Sequence, residues 1–392
     1  MSYDVAVVGT GPDPDEKDTD GFAMAYRHAE AYDRLDDCEL VACTDIVREN
    51  AEAFADHWNL PEGNVYEELD RMLGDVEPDV VSVCVPPAFH ADIVVQCAES
   101  DVVSAIHCEK PMANTWEGCR RMVERADAHD VQLTFNHQRR FGGPFRRAKE
   151  LLDAGEIGPL QRIELGGKNL FDYGSHYFDL CGFFNDQSDP EWVMAGIDYS
   201  EENVQFGVHN ENGAIAQWGY ENGVRGLAST GDDSIVPGEI RLVGADGMID
   251  IGVEDGPTLR LFNDSTGGWK TMDTKGDTVH APAWSKPRMA ALKVAENVPL
   301  LPERWVDQST FIDRAIADVI DALDSGRTPE LAAENVVQST ELIFAAWEAA
   351  RRRTKVELPL DVDGNPLEEM VEDGELLAES PVAEPAAEPA DD

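Results

Sequence analysis

The run Ser104-Ala105-Ile106-His107-Cys108-Glu109-Lys110-Pro111 reads as a short buried strand that stops at a charged pair and a proline. Its neighbours give it a place. Tyr3 to Val8, Glu39 to Thr44, Val80 to Val85 and Gln132 to Asn136 are further strands, and Val80 to Val85 reads as a continuous apolar run, as expected when both sheet faces are covered. Helical stretches fall between them: Phe22 to Tyr32, Val47 to His57, His90 to Ala98 and Thr115 to His129, with a further segment from Val65 to Leu73. Strand alternating with helix over residues 1–140 implies a doubly wound parallel sheet. Glu109-Lys110-Pro111 then lies at the C-terminal mouth of that sheet, the edge at which such folds bind nucleotides. Proline fixes its own φ and, after a cis bond, turns the Lys110 side chain into the cleft. Taken alone, a Lys-Pro in a surface turn explains the same letters.

Beyond residue 140 the pattern changes. A helix from Pro144 to Ala154 precedes period-2 strands at short intervals: Gln161 to Gly167, Glu191 to Tyr199, Val204 to His209, Ala214 to Tyr220 and Val224 to Thr230. Glu239 to Val243, Met248 to Ile251 and Thr258 to Phe262 continue the series, and turns such as Asn212-Gly213 and Asn222-Gly223 separate them. This predicts a large, open, mostly antiparallel sheet with one face covered by helices. Residues 308–325 and 333–353 are amphipathic helices that return to the body. The expected division is a dinucleotide-binding domain over 1–140, a substrate and oligomerisation α/β domain over 141–360, and a tail over 361–392. From Asp361 the chain has twelve acidic residues and no basic one, so the tail is expected to be disordered.

Gly9-Thr10-Gly11 follows the first strand, where glycines permit a tight turn and close approach of a diphosphate to the backbone. An ordinary glycine turn is the plain alternative. The third glycine, Gly21, is displaced by Pro12 to Asp20, which carries five carboxylates. Either this loop swings outward as a rim, or it holds a cation. Asp45 ends the second strand, where a carboxylate can accept hydrogen bonds from ribose hydroxyls and repel a 2′-phosphate. NAD is therefore expected over NADP, although nearby Arg48 leaves some room for NADP. Asp45 could also be a helix N-cap.

The 392 residues suffice for two cores. No apolar run approaches the roughly 18 residues needed to span a bilayer, and the chain opens directly on a strand, so a cytoplasmic protein is expected. Acidic residues number 78 against 31 basic ones, a net charge of -47 with only nine lysines. Such a field repels nucleic acid and anionic membranes. Spread along the whole chain, it reads as adaptation to a salty cytosol. The seven cysteines (Cys38, Cys43, Cys84, Cys97, Cys108, Cys119, Cys181) include no C-x-x-C pair and read as buried thiols in a reducing compartment, with no metal site.

Gly9-Thr10-Gly11, VSVCVPPAFH (81–90), CEKPMA (108–113), NHQRRF (136–141), DYGSHYFDL (172–180) and STELIFAAWEAARRRTKVELPL (339–360) together resemble the glucose-fructose oxidoreductase / inositol dehydrogenase / MocA (Gfo/Idh/MocA) family, in a haloarchaeal-type variant. The resemblance runs over about 350 residues in order. It implies a Rossmann domain followed by an α/β domain whose open sheet supports a homo-oligomer, and a small polyhydroxylated substrate. It also implies that Lys110 contacts nicotinamide ribose and substrate, that Asp172 and His176 form the family's Asp-x-x-x-His pair, and that Asp179 lies on the substrate side. Pro86, His90 and Glu109 would line the cofactor cleft with Gly9, Thr10, Gly11, Gly21 and Asp45. The chain departs from the family pattern at the displaced glycine and in the short connection from the strand 161–167 to Asp172.

The chemistry expected is oxidation of a secondary alcohol. Asp172 and His176, at i and i+4, are expected on one face of a helix, with His176 taking the hydroxyl proton and Asp172 orienting its ring. Lys110 would stabilise the developing alkoxide. Asn136 and Arg139 are candidates for lining the substrate cleft. The plain alternative makes Asp172 a helix cap, His176 an interior histidine and Asp179 the partner of an arginine. Two other functions fit the same letters: a hydrolase that uses retained NAD to make a transient keto-sugar, and a regulator that binds dinucleotide and sugar without turnover.

Overall fold

The computed structural model describes residues 2–14, 24–280 and 309–378. Six parallel strands form the first sheet: β1 (Tyr3–Val8), β2 (Cys38–Thr44), β3 (Val65–Tyr66), β4 (Val80–Val83), β5 (Ala105–Cys108) and β6 (Gln132–Phe135), in the order β3-β2-β1-β4-β5-β6. The order reverses between β1 and β4, so the crevice at their C-terminal ends is the natural place for a ligand. Val80–Val83 and Ala105–Cys108 are buried at every position because helices cover both faces. The segment Val65–Leu73 divides: Val65 and Tyr66 pair with Cys43 and Thr44 as an edge strand, and a helix, Leu69–Val76, follows.

A second sheet contains β7 (Leu160–Leu165), β8 (Pro190–Asp198), β11 (Gly213–Tyr220), β12 (Arg225–Thr230), β13 (Ile240–Gly244), β14 (Gly247–Ile251), β15 (Leu259–Asn263), β16 (Lys270–Thr271) and β17 (Val356–Glu357). Its order is β16-β15-β14-β13-β7-β12-β11-β8-β17, and only β7 and β12 pair in parallel. The expected strand Val204–His209 is instead a small separate hairpin, β9 (Val204–Gln205) with β10 (Val208–His209), because Phe206 and Gly207 both take positive φ. Period-2 alternation sends Ile163, Trp218, Leu242 and Ile249 inward, into the core under the helices Gly143–Asp153, Ser175–Phe184 and Ala333–Arg352. The opposite face leaves Met194, Ile215, Phe262 and Trp269 exposed.

Two C-terminal elements tie the lobes together. The helix Phe311–Ser325 starts at a capping box, Thr310 with Asp313, and ends at Gly326 in the left-handed region (φ 68°). Its stripe Ile312, Ile316 and Ile320 packs on Val5, Val80 and Ala105 of the first sheet. The tail from Asp361 is ordered through residue 378, against the expectation of disorder. Asn365 caps a helix, Pro366–Glu372, whose Leu367 and Met370 are buried, and apolar residues three apart give an acidic segment something to bury. The same stretch crosses to the first lobe: Asp363 and Gly364 carbonyls accept from the Glu117 and Trp116 amides, and Asn365 Nδ2 donates to the Asn114 carbonyl. Residues 379–392 lie outside the described residues.

Candidate active site

The glycine turn sits at the switch point. A Cβ on Gly9 (φ 82°) would come 2.4 Å from Val85 Cγ1, so only glycine lets β1 pass so near the end of β4. Gly11 (φ 63°) faces open space, with nothing within 4 Å of where a Cβ would be. An open cradle under a glycine turn fits a dinucleotide diphosphate. Asp45 joins this turn: Oδ2 accepts from the Gly11 amide at 2.9 Å and the Thr10 hydroxyl at 3.1 Å, and Oδ1 from the Val47 amide at 2.8 Å. Arg48 is held by Glu52 (2.7 Å) and by the Val65 carbonyl (2.9 Å). Gly21 and most of the acidic loop lie outside the described residues.

The Lys110–Pro111 bond is cis, and Lys110 Nζ donates to the Asp172 carboxylate at 3.0 Å and to the Asp172 carbonyl at 2.9 Å. Asp172 and His176 do not share a helical face. The helix is Ser175–Phe184, and Asp172 belongs to the turn before it, closed too tightly for a side chain at Gly174, where a Cβ would lie 2.4 Å from two carbonyl oxygens. Asn210 Oδ1 takes the Asp172 amide, and the buried Glu211 carboxylate takes the Leu170 amide and Trp347 Nε1. Burial raises Glu211 to about 7 against those hydrogen bonds. Neither residue gave a signal in the sequence, since both act 38 or more positions away.

Beneath Lys110 lies a polar cluster that the sequence reading missed. His28 is wholly buried on the helix Met24–Asp33, with Nδ1 2.8 Å from Ser82 Oγ and Nε2 2.9 Å from Glu109 Oε1. Asn136 Nδ2 donates to the same Glu109 oxygen at 2.6 Å, and the Lys110 amide to the other at 3.1 Å. Burial opposes both charges. The Cys84 sulfur and the Glu109 carboxylate outweigh it at His28 and raise its pKa; the His28 hydrogen bond and charge, with Asn136 and Lys110, outweigh it at Glu109 and lower its pKa. Glu109 and Asn136, expected on cofactor and substrate, therefore turn inward and fix the strand ends that carry Lys110. His90, expected to line the cleft, is also turned away: its ring lies between the carbonyls of Val85 (2.8 Å) and Pro111 (3.0 Å), clamping the Lys110 turn to the end of β4. Pro86 stays exposed, capping the helix Pro87–Ala98.

On the far side, His176 is buried, with Nδ1 unpaired and its ring edge-on to His137 at 5.3 Å. Burial, then Arg139 and Lys110, push its pKa well below the usual value, so the ring is a neutral proton acceptor. Arg139 lies between the rings of Tyr173 (4.8 Å) and Tyr177 (4.9 Å), with NH1 3.4 Å from Glu239, and His280 Nε2 meets the other Glu239 oxygen at 3.0 Å. Asp179 is not on the substrate side. Both its oxygens are gripped by Arg140 at 2.6 Å, and the pair is buried, as the plain alternative for this residue had it.

Comparison with known proteins agrees with the two-domain fold. Residues 4–137 match "Oxidoreductase family, NAD-binding Rossmann fold", and residues 149–358 match "Oxidoreductase family, C-terminal alpha/beta domain". A myo-inositol 2-dehydrogenase of Thermotoga maritima is 25% identical over 45% of this chain and 56% of its own length. A D-xylose 1-dehydrogenase [NADP(+)] of Haloarcula marismortui is 29% identical over 56% of this chain and 66% of its own length. The matched stretch thus spans between about half and two thirds of these relatives. A solved oxidoreductase of Agrobacterium radiobacter, in complex with NAD+, L-tartaric acid and magnesium, has the same fold: TM-score 0.69 at 17% identity, covering 91% of this chain and 98% of that one.

Proposed function

Because the chain belongs to the Gfo/Idh/MocA oxidoreductase family, whose two domains both match it, we propose that it moves hydride between a secondary hydroxyl of a sugar or cyclitol and NAD. The observation that carries the reading is Lys110 at the sheet mouth, in contact with Asp172 and within the field of the neutral His176. NAD, when bound at the Gly9–Gly11 turn, supplies the hydride acceptor. The rest falls to the chain. His176 takes the hydroxyl proton, and Lys110 stabilises the charge that develops on the oxygen. Asp172 holds the ammonium in place and has no contact with the imidazole.

NAD is preferred over NADP in this proposal because Asp45 faces the turn while Arg48 is engaged by Glu52 and Val65. The charge of -47 and the seven free cysteines support a salt-adapted, haloarchaeal-type protein of a reducing cytoplasm. The exposed Met194, Ile215, Phe262 and Trp269 support a homo-oligomer through the outer face of the second sheet.

The test is NADH formation in about 2 M KCl over a panel of sugars, sugar acids and inositols, with NAD and NADP run separately. Turnover confined to polyols of this kind is the expected result. Silence across the panel from protein that retains NAD would overturn it in favour of hydrolysis or sensing.

A further inference from the structure

Tyr173 directly follows Asp172, and the turn that meets Lys110 therefore also sets this ring. Basic groups gather on it. Arg139 stacks at 4.8 Å, the Lys168 ammonium lies 5.8 Å from the ring centre, and His280 Nδ1 is 3.5 Å from the phenolic oxygen. Arg139 is nearly buried, with a tenth of its side chain still open, and Lys168 is exposed. The charges do not cancel. Asp172 offsets Lys110, and Glu239 serves both Arg139 and His280, but Lys168 has no ion pair among the described residues. Three permanent cations thus face two carboxylates, in a chain with a net charge of -47 and only nine lysines. The mutual repulsion of cations gathered at one place is relieved when an anion completes them.

The reacting hydroxyl is already provided for by Lys110 and His176, and neither Arg139 nor Lys168 is needed for it. Arg139 is stacked between two aromatic rings and its NH1 makes only a long, 3.4 Å contact with Glu239, so the rest of the guanidinium edge is left for a planar, two-oxygen acceptor, the geometry of a carboxylate. Resting on the hydride-transfer reading above, we propose that the substrate is a sugar acid: Arg139 and Lys168 hold its carboxylate while Lys110 and His176 address a hydroxyl on the same molecule. The half-buried Tyr173 ring offers an apolar surface to the carbon skeleton, while the buried Tyr177 backs Arg139. The Tyr173 hydroxyl and His280 form the polar rim on that side.

The experiment compares matched pairs that differ only in the acid: D-glucuronate with D-glucose, and D-galacturonate with D-galactose. Turnover with NAD and binding to the protein–NADH complex are both measured. The acid of at least one pair should have the higher kcat/KM and affinity by roughly tenfold or more, the worth of a charge-assisted hydrogen bond. Lys168→Gln, at an exposed position that leaves folding intact, should lower that acid-to-neutral ratio by about tenfold, and Lys168→Glu should lower it further. Neutral sugars turned over or bound as well as their acids would overturn the proposal while leaving the dehydrogenase reading in place. Acids that bind preferentially without turnover would uphold the carboxylate site and count against the dehydrogenase instead. An unchanged ratio in both Lys168 variants would remove Lys168 from the site and sink the proposal as stated.

Discussion

Replacing Glu109 by Gln should unfold the protein many degrees earlier, and by an amount that depends on pH. Glu109 and His28 are buried, 2.9 Å apart, and held in opposite charge states. Removing one partner of a buried ion pair costs about 3–5 kcal/mol. Against a total stability of about 5–15 kcal/mol that is a large fraction. At roughly 2–4 °C per kcal/mol for domains of this size, Tm should fall by about 6–20 °C. The pH window follows from the two shifts. His28 is raised from 6.5 to about 10, so its contribution is complete below pH 6.5 and fades as the pH climbs toward 10. Glu109 is lowered from 4.5 to about 2, so its contribution is complete above pH 4.5 and fades as the pH falls toward 2. The gap between wild type and Glu109→Gln should be widest between pH 4.5 and 6.5 and shrink steadily into alkali. Thermal unfolding followed by circular dichroism in about 2 M KCl, at one pH inside that window and one near 9, tests both claims. A drop below about 2 °C inside the window, or a gap that widens in alkali, would refute the reasoning.

Three further outcomes are expected. Lys110→Ala should lower kcat/KM for the best substrate by at least about 10²–10³-fold, as loss of an oxyanion-stabilising donor does, with NAD affinity by calorimetry largely kept; near-normal turnover would remove Lys110 from the chemistry. Deleting residues 361–392 takes away buried Leu367 and Met370, worth about 1.5–3 kcal/mol each, and should lower Tm by about 6–24 °C; an unchanged melt would mean that the segment only rests on the surface. Tm should rise as KCl increases from about 0.1 to 2 M, because screening relieves the self-repulsion of a chain with a net charge of -47, and a flat response would contradict the salt-adapted reading.

The alternation of the first 140 residues was legible because strands covered on both faces are mostly apolar, and Val80–Val83 and Ala105–Cys108 are, with only Ser82 and His107 as buried polar exceptions. Lys110 was legible for a similar reason: it sits in a contiguous motif at a strand end. What failed depended on partners far away in the chain. Asp-x-x-x-His spacing looks helical, yet the backbone is already turning at Gly174, and Asp172 meets Lys110, 62 positions earlier. Asp179 faces Arg140 and Glu109 faces His28, and neither pairing leaves a local trace. The acidic tail misled because composition outweighed three residues, Asn365, Leu367 and Met370, that cap and anchor a short helix.

The helix Phe311–Ser325 gives the order of synthesis a consequence. Val5, Val80 and Ala105 leave the ribosome well before their cover, since Ile312, Ile316 and Ile320 follow Ala105 by more than 200 residues. Until then the nascent nucleotide-binding lobe shows water a bare apolar flank, and a fragment ending near residue 140 would keep that flank for good. Folding of the lobe is thus completed by a segment made long after it, and a nascent chain stalled before residue 311 is the species most exposed to aggregation.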